Sequence, residues 1–114
     1  GVDIHNGQIE NDEFIIQKNE TFSHYRKIFK TNLNQIEVKY EIPDTENTEI
    51  WLRIKTTDSS DLEEIKDEAS FQLEGNEFNE EIDLKEGKFT FVKILPERDN
   101  PDIESPVIKR ITTK

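Results

Sequence analysis

The chain has no cysteine and no methionine, only four glycines and four prolines, and a single tryptophan. The absence of cysteine removes disulfides, thiol nucleophiles and thiolate metal sites together. With so little glycine there is no phosphate-cradling loop, and no serine nucleophile elbow occurs either. No apolar run approaches the roughly 20 residues that span a bilayer, and the first residues lack a signal-peptide pattern, so membrane insertion is not expected. A translated reading frame starts with Met. Here the first residue is Gly1, which points to a domain excised from a larger protein.

Positive charge is scarce as well. Lys plus Arg number 15 against 26 Asp plus Glu, a formal net charge of −11. Such a surface repels phosphate backbones, which argues against nucleic acid or an anionic membrane as partner. It permits an acidic protein-binding inhibitor that occupies a basic groove on another protein. Charged residues reach 36% and hydrophobic ones 32%, but regularly spaced Ile, Leu, Phe and Val positions give the 114 residues enough apolar material for one folded domain, 1–114.

The dominant spacing of those apolar positions is two residues, the β period. Ile36, Val38, Tyr40 and Ile42 alternate with polar residues until Pro43-Asp44 supplies turn chemistry. Ile50, Leu52 and Ile54 then share one face, while Trp51, Arg53 and Lys55 share the other. Phe78, Ile82 and Leu84 alternate too, with Glu80 breaking the row as at a sheet edge. In residues 88–95, Phe89 and Phe91 lie on one parity and Val92 and Ile94 on the other, which fits a strand buried on both faces or one with a β-bulge. Ser105-Pro106 opens a last strand with Val107, Lys109 and Ile111 on one parity. Residues 13–17, 24–30 and 70–74 read as further strands.

One segment reads as helical. Ser60 with Glu63 spells a capping box, acids crowd the start, and Leu62, Ile65 and Ala69 fall at three- and four-residue spacing, predicting a short helix or helical turn over 60–69. The expected fold class is therefore all-β: an antiparallel β-sandwich or jelly roll of eight or nine strands with that one helical piece.

Candidate chemistry is sparse. His5 and His24 are far apart in sequence with no further ligand at useful spacing, so no metal site is expected. Asp58, Asp61, Glu63, Glu64, Asp67 and Glu68 form the densest carboxylate group but lack the order of a calcium loop. Neither a catalytic constellation nor a cofactor motif emerges, so the chain is expected not to be an enzyme. The sharpest feature is Trp51: an indole beside Arg53 and Lys55 on a sheet face can stack a sugar ring, with Tyr40 a further candidate, or can be covered by a loop or a neighbouring module.

Two pairs of segments carry a family resemblance: residues 35–43 leading to 49–58, and 86–95 leading to 105–111. A strand ending in Pro43, a Thr56-Thr57-Asp58 stretch, a Gly87-Lys88-Phe89 strand opening and a closing Ser105-Pro106 strand resemble the β-sandwich domains of bacteriophage tail, baseplate and tail-fibre proteins and related extracellular bacterial proteins. In that family the strand opens Gly-Arg-Tyr; here Lys88 and Phe89 replace the last two. The resemblance implies a non-catalytic structural or attachment module of a virion or cell-surface assembly, with other protein modules or subunits as partners. The alternative is a carbohydrate-binding module with a host-surface glycan as ligand.

Overall fold

In the computed structural model, which describes residues 2–114, the period-two segments form ten strands and no helix occurs among the described residues. These are β1 (Val2–His5), β2 (Gly7–Glu10), β3 (Glu13–Ile16), β4 (His24–Phe29), β5 (Gln35–Glu41), β6 (Thr48–Thr57), β7 (Ile65–Gln72), β8 (Glu77–Glu81), β9 (Phe89–Arg98) and β10 (Val107–Thr113). They make two antiparallel five-stranded sheets, ordered β1-β4-β9-β6-β7 and β2-β3-β10-β5-β8. Counted from β3, the last eight strands run 1-8-3-6 in one sheet and 2-7-4-5 in the other, the jelly-roll order. The fold is an all-β sandwich.

The inner faces carry the alternation into the core. Ile36, Val38 and Tyr40 of β5 meet Ile50, Leu52 and Ile54 of β6 and Val92 and Ile94 of β9, all buried in one cluster. Each such aliphatic side chain contributes about 1.5–3 kcal/mol through removal from water. The core strands β9 and β6 pair over ten positions in unbroken register, so β9 has no bulge. Its two apolar parities are explained by burial on both faces: Val92 and Ile94 point into the core, while Phe91, 3% exposed, lies outside that cluster on the opposite face.

Three sequence expectations are corrected. Residues 60–69 are not helical. Residues 58–64 form a loop in which Leu62 has φ +68°, and Ile65–Gln72 is the edge strand β7, paired with β6 from Trp51 to Thr57. A single short helix is marginal by itself, whereas Ala69 and Phe71 gain cross-strand partners Ile54 and Leu52. The acids that mimic a first helical turn cap the loop instead: the Asp61 carboxylate accepts from the Glu63 backbone N–H at 3.2 Å. Ile65, counted on the apolar helical stripe, is 47% exposed.

The second correction concerns β10. A register shift between Ile108 and Arg110 places Ile108, not Lys109, in the core and brings Ile111 against it. The third is the strand count, ten and not eight or nine, because β1 and β2 precede the first strand read from the sequence. β1 joins one sheet and β2 the other, with the chain crossing at Asn6, φ +53°, and turning again at Asn11-Asp12, both at positive φ. Both are turn residues that tolerate the left-handed region, but the flanking strands are only four residues long. β8 is an edge strand, as Glu80 suggested.

Candidate functional site

Residues directly opposite in a sheet point to the same side. The outer face of the β1-β4-β9-β6-β7 sheet can therefore be built row by row from register. One row runs Asp3, Arg26, Lys93, Arg53 and Ser70. Its neighbours hold Trp51 with Leu95 and Gln72 on one side, and Lys55 with Phe91 and Glu68 on the other. His5 and His24, distant in sequence, are cross-strand partners that continue Trp51's row past Leu95, with stacked rings 5.3 Å apart. Phe22, 46% exposed, lies 6.0 Å from the His5 ring.

Trp51 is half-buried in this face, and its indole N–H donates to the Glu49 carboxylate at 3.0 Å. Arg53 and Lys55 follow it along β6 as the alternation required. The structure separates Tyr40 from them: it belongs to the other sheet, is 1% exposed in the core, and its hydroxyl donates to the Glu74 backbone carbonyl. The residue shares the apolar parity of Ile36 and Val38, and that parity prevails.

Sequence reasoning missed the centre of the face. Arg26, Arg53, Lys55 and Lys93 surround the buried Phe91 ring, and Leu62 from the 58–64 loop closes one side, leaving a cleft of about 80 Å³. Phe91 is 3% exposed among them, as the stems of long basic side chains can cover apolar surface. The Arg26 guanidinium carbon stands 5.8 Å from the Phe91 ring centre. Counter-charge is thin: Asp3 lies 3.6 Å from Arg26, and Glu68 lies 3.8 Å from Lys55. Arg53 and Lys93 have no ion-pair partner among the described residues. The Arg26 Nε–H is shut away from solvent with no acceptor. Burial lowers the Lys93 pKa, and the nearby charges of Arg53, Arg26 and Lys55 lower it further. Burial lowers that of His24 too; the hydrogen bond to Asp3 opposes this and Lys93 adds to it. Lys93 standing alone between Val92 and Ile94 was the one visible signal.

The carboxylate-rich segment is dispersed. Asp58 pairs with Lys66 at 2.8 Å, and Asp67 accepts from the backbone N–H groups of Lys85 and Glu68 at 3.0 and 2.9 Å. Among the described residues no group of three or more His, Asp or Glu is placed to hold a metal ion.

No protein-family model matches the sequence, and no curated protein sequence matches it. Solved structures match the fold. The enzymatically active domain of bacteriophage CBA120 tailspike protein 4 matches with TM-score 0.63 at 9% identity, over 100% of this chain and 18% of that one. A Ruminococcus gnavus GH29 fucosidase mutant in complex with fucose matches with TM-score 0.61 at 10% identity, over 99% and 24%. The carbohydrate-binding module TmCBM61, in complex with β-1,4-galactotriose, matches with TM-score 0.57 at 11% identity, over 99% and 82%. This chain spans about a quarter or less of the tailspike and fucosidase chains. At these identities the likeness shows the β-sandwich fold. The neighbours are carbohydrate-binding modules, glycan-processing enzyme chains and a phage tailspike domain, so the phage-tail resemblance is one part of a wider likeness.

Proposed function

We propose that this domain is a non-catalytic carbohydrate-binding module whose platform is the outer face of the β1-β4-β9-β6-β7 sheet. The observation that carries the reading is the half-buried Trp51 on that face, held by its own neighbour Glu49 and followed along the strand by Arg53 and Lys55. An indole with one face exposed offers apolar area to the C–H side of a sugar ring at little entropic cost, and the adjacent cations supply donors to its oxygens. The sandwich fold shared with a galactotriose-bound module supports this over a purely structural role. The domain acts outside the cell or at a surface, where glycans are encountered.

The test is calorimetric titration of the intact domain with an oligosaccharide panel, repeated on Trp51→Ala. Binding that disappears in the variant while its circular dichroism and unfolding midpoint persist supports the platform. Binding untouched by the substitution places the ligand elsewhere. A second reading, an attachment module in a phage-tail or cell-surface assembly, is favoured by the tailspike domain that covers the whole chain in comparison. Glycan binding is compatible with that role, as the means of attachment.

A further inference from the structure

Within the glycan-binding reading, the row of cations beside Trp51 specifies what kind of sugar fits. The chain carries 26 acidic residues and 15 Lys and Arg. Four of those 15 surround one aromatic ring. Three of the four, Arg26, Lys93 and Arg53, are successive cross-strand neighbours. Like charges directly opposite in a sheet destabilise it. Covering Phe91 with methylene stems does not require this arrangement, because Glu, Gln or Met would cover the ring as well. The only acid in the row, Asp3, sits at its β1 end and already faces both Arg26 and His24, at 3.6 and 3.4 Å. No acid stands opposite Lys93 or Arg53 at the centre of the row.

We propose that Arg53, Lys93 and Arg26 form a subsite for the acidic substituent of an anionic sugar, a uronate carboxylate or a sulfate ester. A cleft of about 80 Å³ is large enough for such a group and too small for a sugar ring. The ring then rests over Trp51. Residues two apart on a strand are separated by about 6.7 Å, and diagonal neighbours on paired strands by about 7–8 Å. Trp51 stands in those relations to Arg53 and Lys93, which matches a pyranose ring with its exocyclic acid. Arg53 offers a planar two-pronged donor and Lys93 a point charge, while Arg26, already beside Asp3, adds positive charge at the end of the row.

The same layout selects against dense polyanions. Duplex DNA presents one charge per roughly 1.7 Å and would run from this patch onto a molecule of net charge −11. A glycan with one acid per sugar or per disaccharide is tolerated. An acidic peptide or the acidic surface of a second copy is the competing occupant; neither uses the stacking position over Trp51.

The experiment titrates the intact domain with trigalacturonate, its carboxyl-reduced neutral counterpart, a sulfated galactan oligosaccharide and a poly-glutamate peptide of equal charge. The expected result is at least roughly tenfold tighter binding of the uronate or the sulfated sugar than of the neutral one. Lys93→Met, which keeps the stem over Phe91, should remove that margin and leave neutral binding intact; Trp51→Ala should weaken both. The two acidic arms decide between carboxylate and sulfate. Equal affinity for acidic and neutral sugars overturns the anionic subsite while sparing the carbohydrate reading. Binding of no sugar overturns both. Poly-glutamate binding as tightly as the acidic sugar, or titration heats that disappear on dilution below self-association, assigns the patch to a protein partner or a second copy and overturns the subsite. Unfolding midpoints of both variants within a few degrees of the parent confirm that the comparison is between folded proteins.

Discussion

Arg53 and Lys93 face each other directly across the β6–β9 pair, the longest pairing in the molecule, and neither has an acidic partner among the described residues. Opposed like charges at paired positions destabilise a sheet by about 0.2–1 kcal/mol. Removing one charge without removing its stem should therefore stabilise the fold. Lys93→Met is expected to raise the urea midpoint by a correspondingly small amount. A drop of more than about 1 kcal/mol would mean that the ammonium group is structurally required and that the row is not strained.

Gly87 marks the close approach of the chain before β9 to the end of β6. A Cβ there would lie inside contact distance of the Thr57 carbonyl and amide, which are backbone atoms that cannot swing aside. The Gly87 N–H also donates to Asn32 at 3.1 Å, anchoring a third segment. Gly87→Ala should cost about 1–3 kcal/mol by overpacking. Gly75, at φ +70° with open space around it, makes the contrast: Gly75→Ala should cost about 1 kcal/mol through backbone strain, and Gly75→Asn less. Urea denaturation of the three variants checks the order.

Much of the sandwich could be read from single strands, because each inner face writes its own period into the sequence. Ile36 to Tyr40 and Ile50 to Ile54 are core residues as their alternation demanded. What could not be read was everything that depends on which strands are neighbours. The cationic row joins Arg26, Arg53 and Lys93 through two pairings that the sequence does not announce. Phe91 looked like a core residue of uncertain phase, yet it faces outward beneath that row. The misread helix has a local cause: edge strands such as β7 carry charges to discourage edge-to-edge pairing, and Lys66, Asp67 and Glu68 mimic a solvated helical face.

Arg98 ends β9 and holds the loops at that end of the sandwich. Its Nε–H donates to the Glu20 carbonyl at 2.9 Å, one terminal nitrogen to Ile103 at 2.8 Å and the other to Gln17 at 3.2 Å. A planar fork can satisfy carbonyls from two loops at once; a lysine cannot. Arg98→Lys should cost about 1–3 kcal/mol, because carbonyls lose charge-assisted donors. Amide exchange should accelerate around residues 17–21 and 100–104 while β5 and β6 stay protected. Uniform acceleration across the molecule would show that the side chain stabilises the fold as a whole and not those loops.

The pH dependence of stability combines the loss of carboxylate contacts in the acid range, the relief of self-repulsion above it and, opposing that relief below about pH 6.5, the lowered pKa of His24. Hydrogen bonding from Asn47 lowers the Asp44 pKa, the bond from Lys66 lowers that of Asp58, and backbone donors from Lys85 and Glu68 lower that of Asp67, each below the ordinary carboxylate value of 3.8. A carboxylate whose folded pKa lies below its unfolded one contributes stability that is fully present above the unfolded value and lost as pH falls through the folded one. These three therefore contribute nothing to a change between pH 7 and about 5, and act only below about 4. The net charge of −11 works in the upper range, where acidification toward the pI of about 4.6 relieves self-repulsion. The urea midpoint should thus rise or hold from pH 7 to about pH 5 and then fall steeply toward pH 3. Asp44→Ala, which removes the acceptor for the backbone N–H groups of Glu46 and Asn47, should lower the midpoint at pH 7 and flatten the acid limb. A midpoint that fell steadily from pH 7 downward would contradict this, because it would mean that His24, whose lowered folded pKa makes it gain a proton on unfolding in this range, outweighs the relief of self-repulsion.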